Sequence, residues 1–218
     1  MSTTFRQRAA RAAARAATLA AAVLLSACAS KGPTNTHYDF GPLPQQKEQQ
    51  QQQQQPQAAT SQIGAIIVAD AIGPASLDSE RMQYRLLYAD ARQSRPYAYN
   101  QWTSTPLQLL TQRMKARIAQ AGVKVLSTTD SAASVNLLRI EVDDFVQNFD
   151  TATQSSGRVN LRASVFRSHR LIDQKTFTRS APAPSADAAG GASALADASD
   201  AIAADVLAWL AALPPTKE

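Results

Sequence analysis

The side chain with the most distinctive chemistry is Cys28, the only cysteine in 218 residues. A lone thiol has no internal disulfide partner. It follows Leu25-Ser26-Ala27, small and apolar residues at the end of an apolar stretch. A thiol placed there is suited to covalent attachment once the segment before it is cut away. Other reactive groups are sparse. His37 and His169 are far apart, each beside a turn and without Cys, His or carboxylate at ligand spacing, so no metal site is expected. Asp143 and Asp144 are adjacent, but neighbours on a strand point to opposite faces and do not converge. No Gly-x-Ser-x-Gly, phosphate loop or dinucleotide fingerprint occurs. These residues therefore ask for neither catalysis nor a cofactor. Tyr97, Tyr99 and Trp102 precede a helix and either form a partner or oligomer surface or cap the core. Core packing is the favoured reading, because Trp and Tyr usually supply buried area while keeping one polar end wet.

The residues before Cys28 have the three-part build of an export signal. Arg6, Arg8, Arg11 and Arg15 form a basic start, Ala16 to Leu25 is apolar, and Ala27-Cys28 is the cleavage boundary. The apolar part is shorter than the roughly 20 residues that span a bilayer. Residues 1–27 are thus expected to be a signal peptide. Its removal takes four of the 22 basic residues, leaving 18 against 17 acidic ones and a net charge of +1. The high isoelectric point belongs largely to the leader, and a nucleic-acid partner, which needs a basic face on the folded domain, is not expected.

Residues 28–36 read as an anchored end and polar spacer, reaching at most roughly 30 Å. The domain is expected over 37–213, followed by a tail, 214–218. Tyr38-Asp39-Phe40 reads as a short strand. The Gln-rich stretch at 45–62 has no apolar face to bury and is expected to be a disordered insertion. Ile63 to Ile72 is a continuous apolar run, as in a central strand buried on both faces. Met82, Tyr84, Leu86 and Tyr88 alternate with polar residues, and Pro96 to Tyr99 forms another strand. A helix then starts at Thr105, with Pro106 at its first position and Gln108 completing a capping box. Leu107, Leu110, Met114, Ile118 and Ala121 form its stripe, Gly122 ends it, and Arg113, Lys115 and Arg117 read as a solvated face. A short strand at Val123 to Leu126 follows. Residues 135–179 read as a three-stranded meander with one polar face and a β-bulge at Asp143-Asp144, where the apolar phase slips. Ser180 to Gly191 reads as a mobile loop, and a last helix from Ala192 to Leu213 carries Leu195, Ile202, Val206, Trp209 and Leu213. The fold class is α/β (α+β): a single domain with a mixed, largely antiparallel sheet and two main helices packed on it.

Leu25-Ser26-Ala27-Cys28 resembles the bacterial lipobox. The resemblance implies a diacylglycerol thioether on Cys28 and an acylated amino end, with fatty chains such as palmitate. It also favours the outer membrane, because Ala29 replaces the Asp that retains such lipoproteins at the inner one. Beyond Cys28, the order of elements resembles the ABC-type transport auxiliary lipoproteins, the PqiC-like proteins. That order runs from Tyr38-Asp39-Phe40 through the strand at Ile66, Leu77-Asp78, the strand Arg81 to Tyr88, Tyr97, Tyr99, Trp102 and Pro106-Leu107 to the meander and terminal Ala-rich helix. The Gln-rich insertion departs from the family pattern. The resemblance implies a non-enzymatic accessory of an MCE/ABC-type system that carries lipid or other hydrophobic compounds between membranes. An MCE-domain protein and ABC transporter subunits would be partners, and the chain would form homo-oligomers on the periplasmic face of the outer membrane. The competing reading is an outer-membrane structural or assembly lipoprotein that partners a barrel or secretion channel. An exported hydrolase would need a convergent polar pocket that the sequence does not offer.

Overall fold

A computed structural model describes residues 34–44, 63–130 and 135–214. Ala27, Cys28, the rest of the expected leader, the Gln-rich insertion and the last residues of the tail lie outside them. Contacts divide the chain after Thr34, and the elements belong to the unit Asn35–Glu218. Among the described residues they comprise a mixed eight-stranded sheet, two α-helices and a 3-10 turn at Ala75–Leu77, the fold class the sequence implied.

The long strand β6 (Asn136–Phe149) organises the sheet. One of its edges pairs antiparallel with β7 (Ser155–Arg167) from Leu137 to Phe149, and β7 pairs with β8 (Arg170–Pro182). The meander expected from alternation is therefore present. Its β7–β8 turn uses Ser168 and His169 at φ 46° and 64°, the left-handed geometry of a two-residue hairpin loop. The other edge of β6 is divided. Its start pairs in parallel with β2 (Ala65–Val68), Ile72 bridges to Glu141 midway, and its end pairs in parallel with β3 (Arg81–Leu86). β2 carries β5 (Lys124–Leu126) on its far side. β3 carries β4 (Ser94–Trp102), which in turn carries β1 (Thr36–Tyr38).

The expected bulge lies between Val142 and Asp144. Before it, Leu138, Ile140 and Val142 are buried, and after it Phe145, Gln147 and Phe149 continue that burial one residue out of phase. One inserted residue exchanges the faces of a strand, so the bulge lets one long strand serve the core at both ends.

Helix α1 (Pro106–Gln120) starts as its sequence dictates. The Thr105 hydroxyl accepts from Gln108 N at 3.3 Å, and Gly122 follows the helix at φ 86°. Leu107, Leu110, Met114 and Ile118 are buried. Helix α2 (Ala188–Ala211) packs Leu195, Ile202, Val206 and Trp209 inward over the meander. Each such fully buried aliphatic side chain contributes about 1.5–3 kcal/mol, so burial rather than propensity holds both helices. Close approach of α2 requires Gly157 on β7: a methyl there would overlap the backbone of Ala194 and Leu195.

Several expectations need correction. The stretch Ser180 to Gly191 is not a mobile loop. β8 runs to Pro182 and α2 begins at Ala188, capped by the Asp187 carboxylate, which accepts from Gly190 N at 2.8 Å. Gly190 and Gly191, placed in that loop by the sequence, lie in the first turn of α2, where a methyl would collide with Ser185 and Gln147 respectively. The apolar run from Ile63 yields a central strand, but it is not buried on both faces. Ile66 and Val68 are fully buried, Ile67 only partly, and Ile72 is 62% exposed beyond the strand. The N-terminal strand ends at Tyr38, and Phe40 enters the core from the loop after it. β3 ends at Leu86, leaving Tyr88 exposed.

Gly157→Ala is expected to destabilise the fold by about 1–3 kcal/mol, because helix backbone cannot yield as a side chain would. Denaturant unfolding measures this, and an unchanged midpoint would contradict the close approach.

Candidate functional site

The three aromatic residues singled out in the sequence lie along a stretch of β4 where its pairing with β3 shifts register. Ser94 to Pro96 and then Gln101 pair with β3, with the break between them, and on the other edge Asn100 to Trp102 pair with β1. Trp102 is 1% exposed, with its ring 5.8 Å from that of Phe40 and 5.6 Å from that of Phe145. It is a core residue. Tyr97 is half-buried, 4.7 Å from the ring of Tyr84, and its hydroxyl donates to Gln147 Oε1 at 2.8 Å. Burial, and then the neighbouring Tyr84, push its phenol above the ordinary range, so it remains a neutral donor. Tyr99 is 52% exposed. Of the three, only Tyr99 presents most of its ring to solvent.

Sequence reading missed the group that Tyr97 serves. Gln147 is 1% exposed, and its Nε2 donates to Ser155 Oγ at 2.8 Å and to the Asp187 carbonyl at 3.0 Å. With the Tyr97 bond, its amide ties β4, the meander and the entry to α2 together. Leaving any of these polar atoms unpaired would cost about 1–3 kcal/mol. Asp187 is itself held below the usual carboxylate range, first by the Gly190 N–H and then by the Ser185 hydroxyl.

The second missed feature overturns the reading of α1's basic face as solvated. Arg113 is 8% exposed and forms a two-pronged pair with Asp200 of α2, Nε to Oδ1 at 2.7 Å and the terminal nitrogen to Oδ2 at 2.8 Å. Its other terminal nitrogen donates to the Gly41 carbonyl at 3.0 Å. Arg117, its side chain 10% exposed, lies 3.5 Å from the same carboxylate. The helix is covered on a second side by α2, and a single apolar stripe does not reveal that. Only Lys115 behaves as expected, pairing with the exposed Asp70 at 3.0 Å.

Beside this pair lies an open groove of about 450 Å³ between the loop after β1 and the first turns of α2. Tyr38, Asp39 and Pro42 form one wall, and Ala192, Ala196 and Asp197 the other. Its cation, Arg113, is neutralised by Asp200. His37 on the rim and His169 on the β7–β8 turn are both exposed. Among the described residues no cluster of His, Cys, Asp or Glu is arranged to hold a metal ion, and no helix is long and apolar enough to cross a membrane. Among the buried polar groups Arg113 and Gln147 join elements, Ser199 bonds within α2, and Asn148 Oδ1 has no hydrogen-bond partner among the described residues.

The chain belongs to the family described as the ABC-type transport auxiliary lipoprotein component, whose model matches residues 45–207. No curated protein matches it. The fold is shared with protein XCC0632 from Xanthomonas campestris, described by the family model DUF330, at 20% identity and a TM-score of 0.60, over 68% of this chain and 84% of that one. An uncharacterized protein of known structure is similar at 13% identity and a TM-score of 0.60, over 81% of this chain and 99% of that one.

Asp200→Asn, which strands two mostly buried guanidinium groups, is expected to cost roughly 3–5 kcal/mol. Lys115→Met, which removes an exposed pair, is expected to cost no more than about 1 kcal/mol. Chemical denaturation of both variants checks the contrast, and equal losses would contradict it.

Proposed function

We propose that the chain is exported, cut before Cys28 and anchored by acyl chains on that residue at the periplasmic face of the outer membrane. There it serves as a non-enzymatic accessory of an MCE/ABC-type system moving lipid or other hydrophobic compounds between membranes. The observation that carries this reading is the family match over 45–207 in a chain that also holds Leu25-Ser26-Ala27-Cys28. The physical case is consistent with it. Two or more acyl chains give stable anchorage, each buried CH₂ contributing about 0.8 kcal/mol. Only residues 29–34 separate Cys28 from the unit that begins at Asn35. The polar groups described above hold the domain together, which suits a protein that works through its surface. Tyr99, with the edge of Tyr97, is the part of the aromatic group open to a partner.

The reading is tested by fractionation and crosslinked capture from membranes. The wild-type chain is expected in the outer-membrane fraction with an MCE-domain protein or transporter subunits, and Cys28→Ser is expected to lose membrane retention. Wild-type-like retention of Cys28→Ser would contradict the anchor. Capture of a barrel or secretion channel in place of transport components would contradict the transport role.

A further inference from the structure

Among the described residues, two pairs of neighbouring large apolar side chains are each more than a third exposed: Leu87 with Tyr88, and Leu171 with Ile172. They lie at opposite ends of the sheet. Leu87 and Tyr88 follow β3, whose Leu86 stands beside Phe149 at the end of β6. Leu171 pairs with Phe166, which pairs with Leu137 at the start of β6. The length of β6 from Leu137 to Phe149, roughly 40 Å of strand, separates the two pairs.

The first pair is held in place by backbone. Leu87 N donates to the Phe149 carbonyl at 2.9 Å, and Ala89 N and Asp90 N donate to the Leu86 carbonyl at 3.0 and 2.9 Å. Charge does not account for its exposure. The Asp90 carboxylate accepts from Arg92 N at 2.9 Å and from Arg92 Nε at 3.1 Å, so the acid and base of the turn satisfy each other. What the turn offers outward is an aliphatic side chain beside a phenol. That combination suits a water–lipid boundary, where the ring is buried and the hydroxyl stays wet.

The direction of the chain selects between the two ends. β1 runs parallel to β4, β4 antiparallel to β3, and β3 parallel to β6. The chain therefore enters β1 from the end of the sheet that carries Leu87 and Tyr88. Thr36 stands beside Asn100, and β4 from Ser94 to Asn100 measures about 20 Å. Cys28 precedes Thr36 by eight residues, which extend to about 28 Å at most. An anchor on Cys28 thus has the length to bring the β3–β4 turn to a bilayer. Reaching the Leu171 end would require the chain to reverse before β1. That end also lies five strand spacings from β1, roughly 24 Å.

We propose that the β3–β4 turn rests on the phospholipid surface to which Cys28 is anchored, with Leu87 and Tyr88 entering the headgroup layer. This deepens the anchoring proposed above and rests on it. The contact need not be strong. A short tether makes it intramolecular, with an effective concentration in roughly the millimolar range, so a contact too weak to hold a free domain is populated once the anchor is in place. Tyr99, five residues beyond Ser94 on β4 or roughly 16 Å, then stays clear of the lipid and open to a protein partner.

The test uses the full-length acylated chain, extracted from its own membrane and reconstituted into vesicles of phosphatidylethanolamine and phosphatidylglycerol brominated on the acyl chains near the headgroup. Trp102 and Trp209 are buried, so the unsubstituted chain sets the baseline. Tyr88→Trp is expected to add emission that the brominated lipid quenches about twofold, since a side chain seated at the headgroup boundary lies against the bromine. Leu171→Trp is expected to show no quenching above the baseline. Adding Leu87→Glu to the Tyr88→Trp chain is expected to relieve about half of the quenching, because a charge enters the lipid at a cost. The vesicles hold no other protein, so quenching reports lipid alone. No added quenching at residue 88, or equal quenching at residues 88 and 171, would overturn the contact. Flotation with the vesicles reads the anchor separately. A chain that floats without quenching at residue 88 loses the contact and keeps the anchor, and one that does not float loses both.

Discussion

The unit depends on a single strand having its second edge shared. β6 gives one edge wholly to β7 and divides the other between β2 and β3. Neither short strand has the length to bury a core alone, since isolated pairs of strands are marginal in water. Both become part of one sheet because β6 is long enough to receive them and its bulge keeps inward residues inward at both ends. The helices then close over the result, α2 lying across the meander and α1 packing beside it.

Two polar contacts translate that arrangement into fixed positions. Gln147, past the bulge, holds Tyr97 of one wing and the Asp187 carbonyl at the start of α2. Asp200 holds Arg113 of α1, and Arg113 also holds the loop after β1. Burying such groups is costly unless each is satisfied, and here the bonds connect segments distant in sequence. Arg113, Asp200, Gln147 and Tyr97 are thus spent on orienting the elements.

Much of the fold was legible because it rests on local patterns. The capping box at Thr105, the terminator Gly122, the alternation through β6 and β7 and the phase slip at Asp143-Asp144 each report their own geometry. What escaped was set by neighbours remote in the chain. Arg113 is buried by α2, which begins 75 residues later. Gly190 and Gly191 suit a helix only because Ser185 and Gln147 press against it. Ile72 is exposed because the strand before it stops at Val68. Of the aromatic group, Tyr97 and Trp102 both turn inward although strict alternation would put them on opposite faces, because the pairing of β4 with β3 shifts register between them.

Native-state hydrogen exchange tests the central claim most directly, since amides that open only with global unfolding exchange at one common free energy. If β6 holds the unit together, the β6 amides bonded to β7, to β2 and to β3 are expected to share the slowest class. If the amides shared between β3 and β6 exchanged through a separate, much easier opening while the meander stayed protected, the wing would be an attachment and the account of β6 would be wrong.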